Sequence, residues 1–349
     1  MRTPGVGSWS RARLARWWAV LVWLVLLSGC SDSVSRADGD VAYPARPSGG
    51  RCHGVGFDQV SGKPPPYGAR GLQRYPVDGA VCAAYWIPQA AHRFVPQSLA
   101  VDGGRAFVSG YRWNKSASKR ACQIAVIDLE SGRETAFQSR FEAPIYHPVP
   151  TYCRHGGGAE ITRDGLWVQE TERLWLLDPD KIGHGDPVVR WWRMGSWMKG
   201  SSLVIRGDRL GVASHRTHAR GRLVWFERSD LLAPGVRDMV PAGGPLDPAT
   251  QARPVAQGRV PVLLQGVTAH RGRLWFSSSR TRCGQLTRPG GRRVDFVPGG
   301  EDIQFVGRDL WTVSEAGAEP YVDRGEALVP MLLRLDARTV LRGRAACRL

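Results

Sequence analysis

Acidic residues recur at matching places in a motif that the chain repeats, and their positions point to a shared mouth. The stretch "EITRDGLWVQ" from Glu160 has relatives in "LAVDGGRAFVS" from Leu99, "LVIRGDRLGVAS" from Leu203, "VTAHRGRLWFSS" from Val267 and "IQFVGRDLWTVS" from Ile303. Superposing the copies puts Glu160, Glu301 and Asp302, with Gln97, Ser98, Ser201, Ser202 and Gln265, where the first strand of each copy begins. The ends of the second strands add Glu170, His215 and Glu315, and His155 in "RHGGGAE" stands just before its first strand. Like charges held this close raise one another's pKa unless a cation or ordered donors intervene. Hard oxygen ligands in a rigid mouth suit calcium first, and no other cofactor is indicated. The plainer reading is structural: such residues hydrogen-bond backbone N–H groups of the neighbouring strand and hold the fold together.

Other chemistries lack their signatures. The chain has no GxSxG nucleophile motif, and "HGGG" at His155, although similar to the oxyanion loop of some esterases, has no such motif to serve. Phosphate-cradling Gly-Lys-Ser/Thr loops and dinucleotide fingerprints are absent, and no Cys/His grouping has zinc spacing. His215 and His218 in "SHRTH" lack a nearby third ligand in sequence, which favours surface histidines over a metal site.

The elements that must position these residues are strands. Each copy is a short apolar segment, a Gly-containing turn and a second strand. The second unit shows four strands in "AEITR", "GLWVQ", "RLWLLD" and "VVRWWRM", no segment keeps a helical period, and 42 glycines and 24 prolines supply turns. Four short strands per unit, repeated at intervals of tens of residues, give an all-β fold, a β-propeller. Blades pack on both faces, so "RLWLLD" and "VVRWW" are apolar without strict alternation, and Trp191 and Trp192 are read as packing between blades. The last copy lacks one strand, and "VCAAYWIP" at Val81–Pro88 supplies it. The expectation is five blades, the ring closed by residues 81–87, with Cys347 bonded to Cys82 or Cys52. Six blades stay open, because intervals of about 60 residues follow the first and third copies.

The ends set the compartment. Residues 1–29 carry Arg2, Arg11, Arg13 and Arg16, no acid, and the apolar run Trp17–Leu27, too short to span a bilayer. This reads as a signal peptide. "LSGC" at Leu27–Cys30 resembles the lipobox of bacterial lipoproteins, which implies that Cys30 carries lipid such as palmitate and begins the mature chain. Residues 30–51 are then a Ser/Asp/Gly/Pro-rich tether, and 52–349 the propeller domain. The six remaining cysteines, Cys52, Cys82, Cys122, Cys153, Cys283 and Cys347, can pair fully outside the cytoplasm. Loss of the signal peptide leaves 44 basic against 31 acidic residues, a net +13. The basic residues are dispersed without Lys/Arg runs, which argues for a solvated surface and against nucleic acid.

"PQSLAVDGGRAFVSGY", "HGGGAEI", "QGVTAHRGRLWFSSS" and "GGEDIQFVGRDLWTVSEAG" together resemble uncharacterised secreted β-propellers of actinobacteria and related GC-rich bacteria, and are loosely similar to NHL-type and gluconolactonase-type propellers. The resemblance covers residues 90–340 and implies the fold. Two functions follow as expectations. The leading one is a monomeric, membrane-anchored lipoprotein that binds or scaffolds an envelope protein or wall polymer, with the Pro/Gly-rich connection Leu231–Val262 projecting as a capture loop. The competing one is a metal-dependent lactone or ester hydrolase with Glu160, Glu301 or Asp302 as ligands and His155 or His215 as base. Against it, gluconolactonase-type sites recruit asparagine, and Asn114 in "RWNKS" is the chain's only one.

Overall fold

The structure, a computed structural model, describes residues 51–144, 150–200, 202–243, 246–288, 290–322 and 327–349. The signal peptide, Cys30, the tether as far as residue 50, and Ser201 lie outside the described residues.

Five antiparallel sheets stand in sequence. Blade 1 comprises Phe94–Asp102, Arg105–Arg112, Cys122–Asp128 and Glu134–Gln138; blade 2 comprises Gly158–Thr162, Gly165–Gln169, Arg173–Leu177 and Val188–Arg193. Blade 3 comprises Ser202–Arg206, Arg209–Ala213, Gly221–Glu227 and Ala256–Val260, and blade 4 Leu264–His270, Arg273–Arg280, Cys283–Thr287 and Arg293–Phe296. Blade 5 takes Gly300–Val306, Asp309–Ser314 and Leu332–Asp336, and its fourth strand, Val81–Tyr85, comes from the other end of the chain. The first strands neighbour one another in the cyclic order 1, 2, 3, 4, 5 and back to 1, so the ring closes on five blades. The inner hairpins turn on glycines such as Gly103 and Gly207, at φ 56° and 60°, where an added Cβ would meet nothing. Left-handed backbone, not crowding, selects glycine there.

Closure follows the sequence expectation. Val81–Tyr85 runs antiparallel to Leu332–Asp336, with Tyr85 opposite Leu332 and Val81 opposite Leu335. Burial between blades explains the blurred alternation. Trp192 is fully buried, stacks on Trp167 at 5.3 Å and donates to the Leu231 carbonyl at 2.9 Å, whereas half-buried Trp191 lies against Trp175. The long intervals hold no sixth blade among the described residues: the first contains the two-stranded Glu142–Pro144 and Pro150–Tyr152 sheet.

Two expectations need correction. The disulfides are Cys52–Cys82, Cys122–Cys153 and Cys283–Cys347, so Cys347 bonds neither Cys82 nor Cys52. After the last strand, helix Ala337–Arg342 carries the tail to the outer strand of blade 4. There Asp295 accepts the N–H groups of Ala346 and Cys347 at 2.9 and 3.1 Å, and Gln285 donates to the Cys347 carbonyl at 2.6 Å. Three disulfides suit an oxidising, extracytoplasmic compartment. The connection Leu231–Val262, of which residues 244–245 lie outside the described residues, does not project as expected. Asp238–Met239 and Gln251–Ala252 add two strands to the outer edge of blade 2, and Leu231, Val236, Met239 and Ala252 are buried against that blade. Arg190 donates to the carbonyls of Leu232, Ala233 and Val236, and Arg193 pairs with both oxygens of Asp238. The connection braces blade 3 to blade 2, because its apolar side chains gain more by burial than by exposure.

Candidate functional site at the channel mouth

The mouth is built by irregularities in the first strands. In blades 1 and 4 the pairing register slips at Gln97 and at Gln265, and in blade 5 it slips across Glu301 and Asp302. A bulge sets an extra residue against its partner strand and re-aims side chains. The first strands of blades 2 and 3 pair without a slip. The mouth is therefore asymmetric, with its amide and acid side chains concentrated on blades 4, 5 and 1.

One group of residues forms a chain of side-chain hydrogen bonds. Gln265 donates to Glu301 at 2.9 Å, Glu301 hydrogen-bonds Glu315, and Gln97 donates to Glu315 at 2.8 Å. Burial, then Glu315 and Asp302, hold the Glu301 carboxyl well above the usual carboxylate range. Glu301 and Glu315 therefore meet as a close carboxyl pair, each also held by a glutamine amide. Above them the Tyr111 and Tyr321 hydroxyls meet at 3.1 Å, Arg120 lies over the Tyr111 and Trp113 rings, and His155 stacks on Tyr111 at 5.1 Å. Burial keeps both phenols protonated, reinforced in each case by the charge of Glu315.

A second group joins backbone to carboxyl. Asp302, 2% exposed, accepts the Ile303 N–H at 2.9 Å, the Ala159 N–H of blade 2 at 3.4 Å, and the Leu99 N–H of blade 1. A Cβ on Gly266 of blade 4 would lie 2.7 Å from the Asp302 Cα, so the residue also packs hard against that blade. Burial and then Glu160 hold its carboxyl well above the usual range. Glu160 accepts the Ile205 N–H of blade 3. It keeps some accessible surface, but surface within a channel gives a carboxyl little water, and burial pushes it up to about 8. Serine hydroxyls complete the stitching: Ser98 to the Gly156 carbonyl, Ser202 to Gln265 and Ser277 to Gly300.

The structure therefore brings together Glu160, Asp302, Glu301, Glu315, Gln97 and Gln265. It leaves Glu170 apart, fully buried and paired with Arg173 at 2.6 Å on blade 2. His155 is pushed down to about 4 by burial, then by Arg120 and His215, and is neutral at ordinary pH. His215 sets its Nδ1 2.8 Å from the Leu264 carbonyl. Among the described residues, no three His, Cys, Asp or Glu side chains form a group that could hold a metal ion. Sequence reading missed Tyr111 and Tyr321. Tyr111 closes the second strand of blade 1 at the position that His215 and Glu315 occupy in their copies, which is a usable signal. Tyr321 lies in a loop outside the repeat and offers none. A groove of about 520 Å³ lies away from the mouth, where Val189, Trp191 and Arg190 of blade 2 face Val236 and Arg237.

No protein-family model matches the chain, and no curated protein does. Solved structures similar to it include a chain of the nidogen/laminin complex, at 12% identity over 68% of this chain and 82% of that one, with a TM-score of 0.36. BamB from Moraxella catarrhalis is similar at 11% identity, 69% of this chain, 59% of that one and a TM-score of 0.30. A gluconolactonase from Xanthomonas campestris is similar at 16% identity, 68% of this chain, 70% of that one and a TM-score of 0.34.

Proposed function

We propose that this chain is a non-enzymatic binding module of the cell envelope: a disulfide-reinforced five-bladed propeller, tethered outside the cytoplasm by lipid on Cys30, that presents its rim to an envelope component. The observation that carries the reading is the engagement of Asp302 with backbone N–H groups of blades 1, 2 and 5. An acid that holds three blades together cannot leave them to coordinate a metal without exposing unpaired donors. Glu301 and Glu315 are likewise capped by amides from blades 4 and 1. This donor set does not fit calcium, which takes six to eight oxygens free to converge.

The hydrolase reading fares less well on the same residues. His155, pushed down to about 4 and beside Arg120, is a weak base at neutral pH. The test is a screen of lactones and esters with calcium, zinc or manganese supplied. The expected result is no turnover that depends on the mouth. Metal-dependent turnover abolished by Glu160→Gln would overturn the module reading. Metabolic labelling with palmitate, lost on Cys30→Ala, tests the anchor. The capture surface is sought on the rim, because the Leu231–Val262 connection is engaged in bracing blade 2.

A further inference from the structure

The stretch from Arg209 to Phe226 contains no acid, and neither does the stretch from Pro248 to Val294, which alone holds nine arginines. Strand direction sorts these charges between the two ends of blades 3 and 4. Arg271, Arg273, Arg288, Arg292 and Arg293 flank turns at the end remote from the channel mouth. Arg216, Arg220, Arg222, Arg259 and Arg280 fall at the mouth-side end. Leu263 ties this second set together: its N–H donates to the Arg216 carbonyl at 2.8 Å, and its carbonyl accepts the N–H of Ser279, the residue before Arg280, at 3.3 Å.

Two details separate this edge from ordinary solvated surface. Arg222 and Arg259 stand directly opposite each other in the antiparallel register of the two outer strands of blade 3. Like charges so placed destabilise a sheet, and an acid at either position would favour the fold. All five arginines are exposed, and none makes an ion pair with a described acid, although fourteen ion pairs serve other charges among the described residues. Guanidinium groups present a planar fork that matches phosphate oxygens two at a time. They are spread over a loop, two strands and a neighbouring blade, which suits an extended ligand with repeated charge better than a single small anion.

We infer that the mouth-side edge of blades 3 and 4 binds a phosphate-bearing polyanion of the cell envelope. The inference rests on the reading of the chain as a binding module and names the chemistry of its partner. The full-length chain, held in neutral detergent micelles, is titrated with fluorescent inorganic polyphosphate, and with poly-glutamate at equal charge. Polyphosphate is expected to bind, more tightly than poly-glutamate and less tightly as salt rises. The double exchange Arg222→Glu with Arg259→Glu should weaken binding roughly tenfold or more and lower the salt slope by about two. The matched exchange Arg271→Glu with Arg273→Glu, at the remote end, should leave affinity within about twofold.

Arg222→Glu alone should raise the thermal midpoint while lowering affinity, because it converts a repulsive cross-strand pair into an attractive one. Equal losses in the two double variants, equal affinity for poly-glutamate, or displacement of polyphosphate by phosphatidylglycerol doped into the micelles at matched phosphate would each overturn the inference. Absence of polyphosphate binding overturns it as well. If immobilised protein still recovers a defined envelope partner in that case, the module reading survives without it.

Discussion

Two pairs of acids share one channel mouth and differ in what they touch. Asp302 and Glu160 accept N–H groups from the backbone of other blades. Glu301 and Glu315 meet each other and the side-chain amides of Gln265 and Gln97. A backbone donor cannot move away from a missing partner, whereas a glutamine can turn to another. The first pair is accordingly a keystone of the ring, and the second an adaptable lining. Nearness of acids in a propeller mouth does not by itself make a ligand site; the nature of their donors decides.

The largest effect is expected at Asp302. Asp302→Ala should cost about 3 kcal/mol or more, because it leaves buried N–H groups of Leu99, Ala159 and Ile303 without an acceptor. Asp302→Asn, which keeps one oxygen, should recover much of that loss, and urea denaturation of both variants measures the contrast. A mere 0.5 kcal/mol loss in the alanine variant would remove the keystone role.

Next in size is the pH response of Glu160. Its folded pKa of about 8 lies above the ordinary 4.5, so between these values the native state holds a proton that the unfolded chain has released. Stability from this group is complete below about pH 4.5 and is lost as the pH rises through about 8. Glu160→Gln should flatten the decline in unfolding midpoint across that window, and an unchanged slope would assign the decline elsewhere. The smallest effect belongs to the other pair. Glu301→Gln keeps the shape of the side chain and offers an amide N–H to Glu315, and should change stability by less than about 1 kcal/mol. A loss as large as that of Asp302→Ala would erase the distinction between the pairs.

Much of the architecture was legible in the chain. The repeated hairpins, the missing strand of the last copy and the matching "VCAAYWIP" segment follow from local periodicity and turn chemistry, which act within a few residues. The candidate acids Glu301 and Asp302 were legible for the same reason, since they fall where Gln97 and Ser98 fall in the first copy; Glu160 lies further along its strand and reaches Asp302 from the neighbouring blade. The failures share a cause. Cys347 and the Leu231–Val262 connection both attach to a neighbouring blade, and attachment between blades depends on which apolar surface or thiol lies within reach. Glu170 falls one residue short of the position that Tyr111, His215 and Glu315 share, so its side chain leaves on the other face of the strand and meets Arg173.

Sequence alone determined the repeated strands and their turns, because these depend on short-range backbone preference and on burying two faces of every sheet. Only the tertiary structure decided which cysteines pair, that a long connection becomes two added strands, and that bulges in blades 1, 4 and 5 divide four mouth acids into a backbone-bound pair and a side-chain-bound pair. Those outcomes depend on distances of a few ångströms between segments far apart in the chain, which no local pattern of residues encodes.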